Sequence, residues 1–137
     1  MLKKEIGKNK FLYRLERGEE AMTMLTKIGE EHNSLCKVSA IGACTDLELG
    51  FLNGTEYEWK KFNDEYELTS FEGSISFTGE EVTPHVHVTI ADRDFNAFGG
   101  HLKKLTAYPM MELFVEVFDE KVQREYDKDS KMKLMKF

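Results

Sequence analysis

Three of the four histidines fall in one short stretch, as His85, His87 and His101. Imidazole titrates close to neutral pH and is the commonest metal ligand, so a cluster of this kind is where chemistry would start. His85, His87 and Thr89 alternate with Val86, Val88 and Ile90, and a period of two predicts a strand with one polar and one apolar face. Both imidazoles then point the same way, about 6.5–7 Å apart at the backbone. His101 follows His87 by fourteen residues, beyond a polar turn from Asp92 to Asn96 that could fold the chain back beside the strand. Gly99-Gly100 suits such an approach, because glycine lets backbones come close. Three neutral imidazoles and a water would make an open tetrahedral zinc site, and the same set serves nickel, copper or iron. The alternative is a His-X-His pair that is only surface and a Gly-Gly-His that is only a turn.

The elements that must position these residues can be read in order. Residues 1–10 carry Lys3, Lys4, Lys8 and Lys10 around little that could pack, and predict a loose N-terminal arm. Phe11 to Leu15 alternates as a first strand with Phe11, Tyr13 and Leu15 inward. From Glu19 to His32, Ala21, Met24, Leu25 and Ile28 recur at helical spacing, with Glu19 and Glu20 expected in the first turn, where the helix dipole favours acids. Leu35 to Gly42 reads as a strand with Cys36, Val38 and Ala40 on one face, and Gly42-Ala43 as a tight point. Asp46–Phe51 and Glu56–Trp59 form a hairpin about Asn53-Gly54. Tyr66 to Phe77 is a long strand in which Gly73 marks a bulge or a close backbone approach. Met110 to Phe118 reads as a central strand, covered on both faces if Glu112 and Glu116 find partners. The tail, Asp119 to Phe137, holds Val122, Tyr126, Met132, Leu134, Met135 and Phe137, too much apolar surface for plain disorder. It is expected to close over the sheet or a neighbouring subunit, with Lys131–Phe137 as a last edge strand.

At 137 residues, 41% apolar and 12% aromatic, the chain fits one domain with a core. Its 25 acids and 19 bases leave a formal charge of −6, which argues against a surface that grips nucleic acid throughout, although it is compatible with a local basic patch; Lys103-Lys104 is a short basic spot, more often a solvated face than a phosphate site. Cys36 and Cys44, with no apolar leader, point to a reducing compartment, the cytoplasm, and to thiols that pack as small hydrophobes. No run approaches the roughly 18 apolar residues of a membrane helix.

Taken together, Arg14-Leu15 with Gly18-Glu19, Ile41-Gly42-Ala43, Leu49-Gly50-Phe51, Gly73 with Ile75, His85-Val86-His87-Val88, Gly99-Gly100-His101-Leu102 and Arg124-Glu125-Tyr126-Asp127 resemble the PPC domain (plants and prokaryotes conserved), which in plants follows an AT-hook. The resemblance covers 11–137. It implies an α+β fold, a largely antiparallel sheet flanked by helices in a single domain, assembled as a homotrimer. It also implies that His85, His87 and His101 lie together, where some prokaryotic members hold a metal ion, with zinc favoured for three imidazoles. No Arg-Gly-Arg-Pro element occurs, so minor-groove reading of A·T-rich DNA by an arginine arm is unsupported. Three readings of function follow: a trimeric assembly, interaction or sensing module with a bound divalent transition metal and a protein partner; a DNA-associated regulator; and a metal-dependent hydrolase or lyase in which Glu72, Asp92 or Glu112 moves protons.

Overall fold

The computed structural model describes every residue from Met1 to Phe137. Apolar alternation yields nine strands and one helix, in the order β1 (Leu2–Gly7), β2 (Lys10–Glu16), α1 (Ala21–His32), β3 (Cys36–Asn53), β4 (Glu56–Phe62), β5 (Tyr66–Thr78), β6 (Glu81–Ala91), β7 (Ala97–Val117), β8 (Arg124–Asp127) and β9 (Met132–Met135). Seven strands form one sheet in the order β1-β2-β7-β6-β5-β3-β4, and a further β7–β3 pairing closes β3, β5, β6 and β7 into a ring. All strand pairings are antiparallel. The resemblance implies helices in the plural, whereas a single helix lies on this sheet.

Inside the ring, Val38, Phe71, Ile75, Val86, Val88, Ile90, Leu102, Leu113 and Val115 are buried, and α1 adds Ala21, Leu25 and Ile28. Each large aliphatic or aromatic side chain so removed from water contributes about 1.5–3 kcal/mol before entropy is charged against it. Glu20 is the N-cap of α1, its carboxylate accepting from the backbone N–H groups of Met22 and Thr23 at 2.9 and 2.8 Å, rather than a residue of the first turn. The helix ends at Asn33, which adopts the left-handed conformation and donates its N–H to the Gly29 carbonyl.

The loose arm expected over residues 1–10 is instead largely strand: Leu2–Gly7 pairs with β2, with Leu2 opposite Arg14 and Glu5 opposite Phe11. Ion pairs of the N-terminal ammonium with Glu19 and of Lys3 with Glu31 tether it further. Backbone hydrogen bonding at a sheet edge needs no apolar side chains, so composition carries no trace of it. The two strands expected at Leu35–Gly42 and Asp46–Phe51 are one bent strand, β3. Its register with β7 shifts past Gly42, which has φ 146° and where a Cβ would meet the Met110 carbonyl oxygen at 2.5 Å. Likewise, the expected strand Met110–Phe118 is the second half of β7, whose first half carries His101.

The outer face of β7 is not covered by this chain. Phe114 and Ile41 remain 44% and 54% exposed, and Glu116 reaches Lys10 only at 3.8 Å. In the tail, β9 pairs with β8 as a two-stranded ribbon rather than joining the edge of the main sheet. No helix is long and apolar enough to cross a membrane.

Candidate metal centre

The alternation read from the sequence is what the backbone does. On β6, Val86, Val88 and Ile90 are buried while His87 is exposed and His85 and Thr89 are half-buried. Between β6 and β7 the Asp92 carboxylate accepts from the backbone N–H groups of Asp94 and Asn96, both at 2.9 Å, and so fixes the turn. The hairpin register then sets His101 directly opposite His87, on the same face of the sheet.

The three rings form a nearly equilateral group. Their centroids lie 5.2 Å apart for His85–His87, 5.2 Å for His85–His101 and 5.4 Å for His87–His101. One nitrogen from each can be chosen so that all three lie within 4.8 Å of one another, so the trio could hold a metal ion. Glycines allow this convergence. A Cβ on Gly73 of β5 would sit 2.2 Å from the His85 carbonyl oxygen, and one on Gly100 would sit 2.8 Å from the Gly50 carbonyl oxygen. The close approach expected at Gly73 is therefore present, while the bulge in this sheet region falls between Leu68 and Ser70.

Burial, with the neighbouring groups, favours the neutral form of His85 and His101. Burial, then the neighbouring His85 and His87, lowers the pKa of His101 to about 4. Burial, then Arg124 and His87, lowers that of His85. The Nδ1 of His101 is buried and has no hydrogen-bond partner, an arrangement that is costly unless something else takes its lone pair or proton. The residues fit a divalent transition metal on that ground as well as on donor type.

Sequence reading did not anticipate the groups around the triad. Tyr57 and Trp59 of β4 stack at 5.0 Å, with Tyr57 4.8 Å from the His101 ring, and they lie over Gly50, where a Cβ would strike both rings. Arg124 of β8 is buried, donates to Ser76 Oγ at 2.6 Å and to the Lys133 carbonyl at 3.0 Å, and brings Nη2 to 3.5 Å from His85 Nδ1. A Gly opposite alternating aromatics was the one local signal for the first pair; nothing local points to Arg124. Of the proposed proton carriers, Glu72 lies cross-strand from His87, Asp92 is engaged in the turn, and Glu112 lies farther along β7 opposite Arg14 and Ile41. Two clefts of about 660 and 430 Å³ adjoin the triad. A concavity of about 750 Å³ bounded by Lys60, Asp64, Asp92 and Arg93 includes none of the three histidines.

A family model for the Plants and Prokaryotes Conserved (PCC) domain matches residues 3–119. The chain belongs to this family. Solved structures share the fold over nearly the whole chain. A protein of Bacteroides thetaiotaomicron, described as a candidate DNA-binding protein, superposes with a TM-score of 0.93 at 29% identity over 99% of this chain and 96% of its own. A metal-containing protein of Archaeoglobus fulgidus gives 0.86 at 28% identity over 97% and 96%, and a plant- and prokaryote-conserved protein of Pyrococcus horikoshii gives 0.86 at 26% over 93% and 91%. No curated protein sequence matches this PCC chain.

Proposed function

We propose that this PCC domain is a homotrimeric assembly or sensing module that holds one divalent transition metal, zinc in preference, on His85, His87 and His101. The observation that carries the reading is the convergence of three imidazole nitrogens within 4.8 Å, and the partnerless Nδ1 of His101 and the metal-containing relative from Archaeoglobus fulgidus support it. A zinc ion with Zn–N of about 2.0–2.1 Å would require the three imidazole nitrogens to draw in from separations of up to 4.8 Å, and it would supply a Lewis-acid centre there. Self-association is supported by the uncovered sheet face, where Leu2, Arg14, Glu112 and Ile41 form one cross-strand row and Lys4, Leu12, Phe114 and Ser39 the next. Native mass spectrometry of unchelated protein tests both parts: a trimer with about one ion per chain is expected. A metal-free trimer would make the histidines structural, and a monomer would remove the assembly reading.

DNA association is the second reading, because the relative from Bacteroides thetaiotaomicron is described in those terms. The formal charge of −6 opposes it, and Lys3, Lys103, Lys104, Lys121 and Lys136 are already paired with acids. Electrophoretic shifts that persist above about 150 mM salt would reinstate it.

A further inference from the structure

A guanidinium keeps its proton, yet Arg124 is only 9% exposed, and its nearby acceptors are a hydroxyl, a carbonyl and an imidazole nitrogen rather than a carboxylate. A buried cation without an anion is an expensive arrangement, and folded chains normally answer it with an opposite charge. Arg124 opens onto the cleft of about 430 Å³ beside the triad. That cleft is bounded by Arg124, Lys131 and Lys133 together with His85 and His101, and no acidic side chain lines it. The adjoining cleft, which shares Tyr57, His85, His101 and Met132, has no acidic side chain either. For a chain with 25 acids and a net charge of −6, this local reversal is a specific feature. The Lys133 ammonium is 3.7 Å from Glu81, so its charge is partly answered, whereas Arg124 and Lys131 have no carboxylate partner. The ribbon that supplies these cations, β8–β9, follows the 3–119 segment matched to the family.

A guanidinium 3.5 Å from a nitrogen of His85 also repels any cation held there. An oxyanion that contacts both Arg124 and such an ion would answer both charges, and three imidazoles would leave an ion open positions for oxygen ligands. Tyr57 and Met132 provide the apolar part of the wall.

We propose that this cleft binds a small organic oxyanion, a carboxylate or a phosphate monoester, with its oxygens on Arg124 and Lys131 and its apolar portion against Tyr57 and Met132. The contact with Arg124 stands without a metal; the accompanying claim that the anion and the ion at the triad strengthen one another rests on the metal reading above.

The test is calorimetric titration of the full chain with benzoate and, separately, phenyl phosphate, in chelated protein and in protein loaded with one equivalent of zinc. Saturable binding at one site per chain is expected, tighter in the zinc form, and saturating benzoate is expected to tighten zinc by the same factor, as linkage requires. Arg124→Gln removes a charge-assisted contact and is expected to weaken the preferred probe about 10- to 100-fold. Lys131→Asn, at an exposed left-handed position that Asn tolerates, is expected to weaken it about 2- to 5-fold, and it keeps the test open should Arg124→Gln fail to fold. Preference for benzoate assigns a carboxylate, and preference for phenyl phosphate assigns a phosphate. Failure of both probes in both forms, or binding that neither variant weakens, overturns the proposal. Protein that takes no zinc but still binds a probe through Arg124 overturns the metal reading and leaves the anion site standing.

Discussion

Replacing Gly73 by Ala isolates the close approach of β5 and β6 that lets the triad form. The added Cβ would lie 2.2 Å from the His85 carbonyl oxygen and 2.9 Å from both Cα and Cγ2 of Val86. An ordinary C···O contact is about 3.3 Å or longer, so two hydrogen-bonded strands would have to part by about an ångström. The first obstacle is backbone and cannot rotate aside. Overpacking of this kind costs about 1–3 kcal/mol or more, and the restricted unfolded chain returns about 0.4–1 kcal/mol. A net loss of about 2 kcal/mol is expected, or about 1 M in the urea midpoint for a slope of about 2 kcal/mol/M. Gly7→Ala is the control: its Cβ would find nothing nearer than 3.7 Å, and the change should stay within about 0.5 kcal/mol. Urea unfolding of the three proteins, chelated and at one protein concentration, measures this, and zinc titration reports whether displacing His85 also weakens the site. If Gly73→Ala unfolds within 0.5 kcal/mol of the parent, the steric account of the β5–β6 approach is wrong.

The remaining expectations are more direct. His101→Ala should abolish stoichiometric zinc binding while leaving the assembly mass seen by light scattering unchanged; loss of assembly instead would mean that the histidine is structural. Since His101 titrates at about 4 in the folded chain and near 6.5 when unfolded, the unfolded state binds the extra proton between those values. Metal-free protein should therefore lose stability as pH falls from about 6.5 to about 4, and His101→Gln should flatten that slope in urea titrations across this range. Cys36 and Cys44 are fully buried, and burial raises their pKa values to about 11 and about 12, so a disulfide reagent should react with neither thiol at pH 8 until denaturant is added. Glu20→Ala should cost about 1 kcal/mol by uncapping α1, read as a lowered thermal midpoint.

Legibility in the sequence followed the range of the interaction. The strand face of His85 and His87, the amphipathic stripe of α1 and the Asn53-Gly54 turn depend on residues within a few positions of one another, and each matches the structure. The N-terminal edge strand did not show, because Lys3, Lys4 and Lys8 declare exposure, while the ladder of Leu2–Gly7 is backbone hydrogen bonding and its ion pairs reach residues far along the chain. The continuity of β3 through Gly42 did not show either, because the same glycine that marks a turn also permits a bend within a strand.

The same division runs through the site. Composition and spacing by themselves determined that two imidazoles share a strand face and that a turn could return His101 toward them, since side-chain direction in a strand is a local property of period two. Which residue faces which across β6 and β7, the stacking of Tyr57 on His101 and the arrival of Arg124 beside His85 were decided by tertiary structure. Register, ring closure and the docking of the β8–β9 ribbon are set by the packing of segments far apart in the chain, where a shift of one residue would turn each histidine to the opposite face.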